Sequence, residues 1–326
     1  MANYSELIKK SKAYNVIARD KKAGRLSHAY MVVSSDKKYL RDYLKIFAKL
    51  IMCEDSEFCG MCRECRLISE ERLTDVVIYP RTQGDKITAE DVDYIVADSF
   101  VKPFECSKKI FVINDATDMN VSAQNKLLKT LEEPPANVYI IIGASSEHAV
   151  LPTIKSRVKT VEIAPFSPEQ LYDALKFDYP DGLRLMRAVR ASDGTYGNAT
   201  QLYLDEQFAR SEELAKTVLE QLGSSRDTLK VMNIISSSKV DLSNLLNSLE
   251  VLFYDMMVYF SDQRLCQNSP NIDFFDKVVG FNRASCLYAL DKISEAKRKV
   301  WFNGNDVMVI ERLLLQILEG KYKWKK

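Results

Sequence analysis

Short apolar runs alternate with helical periodicity over the first half of the chain. Ala29-Tyr30-Met31-Val32-Val33, bounded by His28 and Ser34-Ser35, reads as a buried parallel strand. Leu40, Tyr43, Leu44, Phe47, Leu50 and Ile51 then recur mostly at steps of three and four, which gives one apolar face of a helix. Val76–Tyr79, Ile110–Ile113, Val138–Ile142 and Val158–Ile163 supply further strands. Between them one helix starts at Thr88, where Thr-Ala-Glu-Asp offers a cap and first-turn acids. Another runs from about Val121 to Glu133 and stops at Pro134-Pro135. Short buried strands separated by helices predict an α/β fold with a doubly wound, mostly parallel sheet.

After Ile163 the periodicity is helical only. Ala164-Pro165-Phe166 reads as a linker, and Ser167-Pro168-Glu169-Gln170 supplies an N-cap, a proline at N1 and a capping-box glutamine. Ser192-Asp193-Gly194 and Tyr196-Gly197-Asn198 break a small lid-like helical segment that ends near residue 208. From about 209 to 319 the chain reads as a helical bundle, with Val307, Ile310, Leu314, Ile317 and Leu318 marking the last helix. The basic tail Lys321–Lys326 is expected to fray. The expected domains are 1–163 (α/β), 164–208 (small helical lid) and 209–326 (all-α).

At roughly 150 residues per domain, 326 residues fit two domains or three small ones. With 46% hydrophobic and 28% charged residues, each can bury a core. The net charge of +1 argues against a surface that coats nucleic acid throughout, and the run Lys297-Arg298-Lys299 reads as a solvated helix end. Seven cysteines do not resemble a secreted disulfide framework. The opening MANYSELIKKSKAY lacks the apolar core of a signal peptide, and no apolar run approaches the ~18–20 residues that span a bilayer. A soluble, cytoplasmic protein is expected.

Cys53, Cys59, Cys62 and Cys65 form C-x5-C-x2-C-x2-C. Four soft thiolates can close a tetrahedral shell, which favours zinc, and a shell filled by sulfur leaves no open position for catalysis. The expected metal is therefore structural. Phe58-Cys59-Gly60-Met61-Cys62 resembles a metal knuckle, in which glycine lets backbone amides turn toward sulfur. An iron–sulfur cluster and a set of incidental or redox thiols are the alternatives. Cys106, Cys266 and Cys286 stand alone.

The junction of the first strand with its helix is where a phosphate loop would lie. Such a loop needs glycines, so that backbone amides can cradle phosphate, followed by Lys and Ser/Thr. Here Ser34-Ser35-Asp36-Lys37-Lys38-Tyr39-Leu40 contains no glycine, and Asp36 would oppose a phosphate. The strand Ile110–Ile113 continues into Asn114-Asp115-Ala116-Thr117. Asp115 stands where a magnesium-binding acidic pair is expected, but Asn114 replaces its neighbour. His28 and His148, the two histidines, lie in no nucleophile motif.

Arg25-Leu26-Ser27-His28-Ala29-Tyr30, the four cysteines, and Ala123-Gln124-Asn125-Lys126-Leu127-Leu128-Lys129-Thr130-Leu131-Glu132-Glu133-Pro134-Pro135 resemble the AAA+ clamp-loader subunits of bacterial DNA polymerase III. Leu151-Pro152-Thr153-Ile154-Lys155-Ser156-Arg157-Val158 is similar to the family's Thr-Ile-x-Ser-Arg-Cys stretch, with Val158 in place of the cysteine. The match is dense from about 22 to 163 and thinner but collinear to Glu311-Arg312-Leu313-Leu314-Leu315. The first cysteine gap is shorter than the family's.

The resemblance implies an AAA+ domain with an inserted zinc module at 53–65, a lid, and a C-terminal collar. It also implies that Arg157, with Ser156, acts in trans as an arginine finger on a neighbour's ATP. Within the family the gamma/tau motors hydrolyse ATP, whereas the delta-prime branch has a similar shape without a working ATP site. Residues 34–40, Asn114, and Gly197 (where a sensor-2 arginine would stand) all depart from the motor pattern and point to the delta-prime branch. No ATP and no intrinsic activity are then expected, and an active gamma/tau-type ATPase is the alternative. The implied partners are gamma/tau and delta subunits and, through the complex, the sliding clamp and primer-template DNA. A free-standing zinc module that reads nucleic acid is disfavoured by the near-zero net charge and the large helical remainder.

Overall fold

Helices α1 (Tyr4–Lys9) and α2 (Lys12–Lys22) precede strand β1 (Ala29–Val33). Then follow α3 (Leu40–Met52), α4 (Arg63–Ser69), β2 (Val76–Tyr79), α5 (Ala89–Ser99), β3 (Lys109–Ile113), α6 (Val121–Glu132) and β4 (Val138–Ala144). Helix α7 (Pro152–Lys155), β5 (Lys159–Glu162) and α8 (Pro168–Leu175) close this part of the chain. The computed structural model describes residues 4–324 apart from 56, 83, 263–270, 279 and 303–304, so Cys266 and the last two lysines lie outside the described residues. It divides into two compact units, Met1–Leu175 with Gly194–Asn198, and Lys176–Asp193 with Ala199–Lys326.

In the first unit all strand pairs are parallel, in the order β2-β3-β4-β1-β5. Alternate residues serve opposite faces, as a period of two requires. Tyr30, Val32, Ile78, Val112 and Ile141 join α2 and α3 in one core, whereas Ala29, Met31, Tyr79, Ile113 and Ile142 join α5 and α6 in another. Coverage on both faces is why β1 to β4 read as apolar runs, while the edge strand β5 buries only Val161. Helix α5 starts in a capping box: Asp91 N donates to Thr88 Oγ1 at 3.1 Å and Thr88 N to Asp91 Oδ2 at 2.7 Å. Register pairs Val33 with Ala144 and Ile113 with Ile142, so the loops that begin at Ser34, Asn114 and Ser145 leave the same edge of the sheet. That edge is where open α/β sheets build their sites.

The second unit is helical: α9 (Gly182–Arg190), most of α10 (Tyr196–Leu204), α11 (Glu206–Gln221), α12 (Thr228–Ser238), α13 (Leu242–Ser261), α14 (Ile272–Phe275), α15 (Arg283–Trp301) and α16 (Asp306–Lys323). Leu249, Phe253, Ile293 and Leu314 are fully buried at its centre. Two sequence expectations are corrected here. Val307 is exposed, because it lies off the inward stripe, which runs through Val309, Ile310, Leu313, Leu314, Ile317 and Leu318. The tail does not fray as far as Trp324. Tyr322 OH donates to the Gly223 carbonyl at 2.7 Å, and Asn282 Nδ2 donates to the Trp324 carbonyl at 2.7 Å. Among the described residues no helix is long and apolar enough to cross a membrane.

Candidate functional site

The loop from β1 to α3 has no glycine, and the amides of Asp36, Lys37 and Tyr39 donate to Ser34 Oγ, the Ser35 carbonyl and Asp36 Oδ1. Its centre is Asp36, which is 5% exposed. Tyr39 N donates to Asp36 Oδ1 at 3.2 Å, Tyr43 OH donates to Oδ2 at 2.7 Å, and the Gly197 amide donates to the same Oδ2 at 2.8 Å. The carboxylate thus sits at the N-terminus of α3, the place where a helix favours an anion. Burial, with Asp36 alongside, holds the Tyr43 phenol far above its ordinary range, so it stays a donor. A Cβ at residue 197 would strike the Asp36 carboxylate and come within 3.0 Å of Lys38 Cβ, so glycine is required there. Tyr39, Tyr4 and Tyr196 enclose the loop, with the Tyr39 and Tyr196 ring centres 4.8 Å apart. Ser34 is buried, whereas Ser35, Lys37 and Lys38 face solvent.

At the end of β3, Asp115 is buried and caps its own turn. Oδ1 accepts from Thr117 N at 3.1 Å, Thr117 Oγ1 at 2.8 Å and Ser145 N at 3.1 Å. These bonds tie the ends of β3 and β4 together, a structural use of the carboxylate. Asn114 Oδ1 is buried without a hydrogen-bond partner, and its backbone carbonyl lies against Gly143, where no Cβ would fit.

Arg157 follows α7. Its Nη1 donates to the Thr153 carbonyl at 2.8 Å and to Ser156 Oγ at 3.1 Å, and its Nη2 pairs with Glu132 Oε1 at 2.5 Å. The side chain is 33% exposed. His28 sits at the head of β1 with Nε2 buried and unpaired, and His148 is exposed. Of the basic run, Lys297 pairs with Glu250, and Arg298 and Lys299 are exposed.

The ligand atoms of Cys53, Cys59, Cys62 and Cys65 lie within 4.8 Å of one another. Cys53 Sγ is 3.8 Å from Cys59 Sγ and 4.0 Å from Cys62 Sγ. A tetrahedron with metal–sulfur bonds of about 2.3 Å has edges of about 3.8 Å, so the donor set fits one metal ion. Gly60, at φ +74°, makes the turn that aims Cys62 N at Cys59 Sγ over 3.2 Å. Amides of Cys62 and Met61 lower the Cys59 thiol to about 7, whereas burial raises Cys65. Lys21 donates to the carbonyls of Cys53 and Asp55, which places a cation beside the cluster. Of the lone cysteines described, Cys286 is buried and Cys106 half-buried.

A family model described as "DNA polymerase III, delta subunit" matches residues 9–167. The DNA polymerase III subunit delta' of Bacillus subtilis (strain 168) is 27% identical over 200 residues, 61% of this chain and 59% of that one. The subunit tau of the same organism is 26% identical over 275 residues, 76% of this chain and 47% of that one. Residues 9–167 belong to the DNA polymerase III clamp-loader family. The delta' subunit of Escherichia coli (strain K12) is 24% identical over 203 residues, 60% of each chain. These alignments span about half to three fifths of the relatives' length. Among solved structures, a gamma subunit-related protein of Thermotoga maritima MSB8 aligns over 98% of both chains at 18% identity and a TM-score of 0.42.

Two residues of this clamp-loader chain escaped sequence reading although both lie in the run 123–135. Gln124, 3% exposed, joins the turns after β3 and β4, and Glu132 meets Arg157. A glutamine in helical register with Leu127, Leu128 and Leu131 was the available signal for the first. Nothing local marked the second.

Proposed function

We propose that this clamp-loader subunit is of the delta-prime kind, a scaffold that does not hydrolyse ATP and that supports placement of the sliding clamp on primer-template DNA. The observation that carries the reading is the Asp36 carboxylate, which sits in the loop where a motor subunit would hold phosphate and accepts from Tyr39 N, Tyr43 OH and the Gly197 amide. A phosphate brought to the N-terminus of α3 would meet a buried negative charge. With Asn114 in place of an acid, and Asp115 committed to its own turn, magnesium also lacks its usual pair of ligands.

On this reading the subunit's contribution to catalysis is Arg157, offered in trans to an ATP site on a neighbouring gamma/tau subunit. Its planar, permanently charged guanidinium suits the charge that develops on a transferring phosphoryl group. The reading divides the chain into an AAA+ domain at 1–163 with its metal module at 53–65, a lid at 164–208 and a collar at 209–326. It takes gamma/tau and delta subunits as partners in the cytoplasm. Cys53, Cys59, Cys62 and Cys65 hold zinc in a closed shell that supports the fold.

The motor alternative draws on the match to the tau subunit. Calorimetry with magnesium-ATP separates the two: no binding is expected, and micromolar binding would restore the motor reading. Arg157→Ala tests the finger. The variant should fold and assemble, because the side chain is partly exposed and its ion pair with the exposed Glu132 is worth little. The reconstituted loader should nonetheless lose part of its clamp- and DNA-stimulated ATPase, since motor–motor interfaces keep their own arginines. An unchanged rate with assembly verified would leave Arg157 a structural residue.

A further inference from the structure

The run Ala123–Pro135 is the densest part of the family resemblance, yet nothing in the proposed function uses its acidic end. Glu132 closes α6 and pairs with Arg157 at 2.5 Å, while Thr153 O and Ser156 Oγ take two hydrogens of Nη1. A guanidinium carries five N–H groups in one rigid plane. These contacts set that plane from two sides and leave N–H groups over for a further ligand.

The same helix also fixes the segment that carries the arginine. Gln124 Nε2 donates to the carbonyls of Met119 at 3.3 Å and Ala149 at 3.4 Å, and its Oε1 accepts from Leu151 N at 2.9 Å. Leu151 is the N-cap residue of α7 and Ser156 its C-cap. Helix α6 therefore holds α7 at its start through Gln124 and holds the arginine just past its end through Glu132.

We propose that Glu132 is a positioning residue, which holds the Arg157 guanidinium in the orientation in which it is presented to a neighbouring subunit's phosphoryl group. The inference rests on the trans-arginine reading above. A flexible arginine searches many rotamers, and a small misplacement of a catalytic group lowers turnover steeply. A carboxylate that instead withheld the charge from phosphate would act in the opposite direction, so the sign of the effect is diagnostic.

The test is steady-state ATPase of a loader reconstituted from this chain with the gamma/tau and delta subunits of its own organism, on clamp and primed DNA. Glu132→Ala should lower kcat by a fraction within about twofold of that for Arg157→Ala, with KM for ATP unchanged. Glu132→Gln, which keeps an acceptor in place, should restore most of the loss. Combined with Arg157→Ala, Glu132→Ala should have no further effect, because it acts only through the arginine. Melting of each free variant and its assembly check the fold. A rate unchanged or raised in Glu132→Ala, or a double variant slower than Arg157→Ala, overturns the proposal. If Arg157→Ala itself leaves the rate unchanged, the trans-arginine reading fails, and the positioning role falls with it.

Discussion

Replacing Asp36 tests whether its carboxylate is the resident anion of the loop between β1 and α3. In Asp36→Ala the Tyr43 hydroxyl and the Gly197 amide lose their acceptor. A buried donor left unmet costs about 1–3 kcal/mol, and loss of an anionic partner at a helix N-terminus about 0.5–2 kcal/mol. Water that enters the space recovers part of this, so a net loss of about 3 kcal/mol is expected. For a unit of this size each kcal/mol lowers the melting temperature by about 2–4 °C, which predicts a fall of about 6–12 °C in the transition of the first unit. Asp36→Asn keeps an acceptor but not the charge, and should lose about 1–2 kcal/mol, the margin between charged and neutral hydrogen bonds. Scanning calorimetry is the assay, since two units need not melt together. Two variants that both melt within a degree of the parent would refute the assignment, and so would an asparagine variant less stable than the alanine one.

The cysteine cluster should hold one zinc per chain, and Cys62→Ser should abolish stoichiometric binding; elemental analysis that finds iron, or no metal, in the reduced parent chain decides against zinc. Glu71 pairs with the buried Arg41, whose Nε donates to it at 2.9 Å, and this holds the Glu71 carboxyl below the usual carboxylate range. A lowered folded-state value adds stability above the unfolded value of about 4.3 and loses it as pH falls through the folded value. Glu71→Gln should therefore be less stable than the parent at pH 7 by about 1–2 kcal/mol, discounted for partial exposure, and the gap should narrow as the pH is lowered below about 4. Urea unfolding at both pH values is the check, and a gap independent of pH would refute it.

Strands β1 to β4 were legible because they are covered on both faces, so each announces itself as a short, largely apolar run, whereas the edge strand β5 buries only Val161 between polar residues. Helix α3 was legible through its apolar stripe, but periodicity counts Arg41 as polar. It is 5% exposed, held by Glu71 and by the Pro80 carbonyl at 2.9 Å. Helix α7, Pro152–Lys155, is too short for any period to register. The tail misled for the opposite reason: its lysines read as solvated, while Tyr322 and Trp324 between and beside them supply contacts that composition does not reveal. The proximity of the four cysteines was legible from spacing alone, because they are neighbours in the chain.

The phosphate loop shows where local reading stops. Residue 36 reads as the wrong charge for phosphate, and residue 197 as a missing arginine, two separate absences. They lie 161 positions apart and share one hydrogen bond. Each is the condition for the other: the carboxylate needs the Gly197 amide as a donor, and the amide can come so close only because residue 197 has no Cβ. An arginine restored at 197 alone would strike Asp36, and a residue restored at 36 alone would strand Tyr43 and Gly197. On the proposed reading, a return to ATP binding therefore requires several coordinated changes, each unfavourable by itself. On that reading packing, as well as the lack of glycine, closes the loop to phosphate.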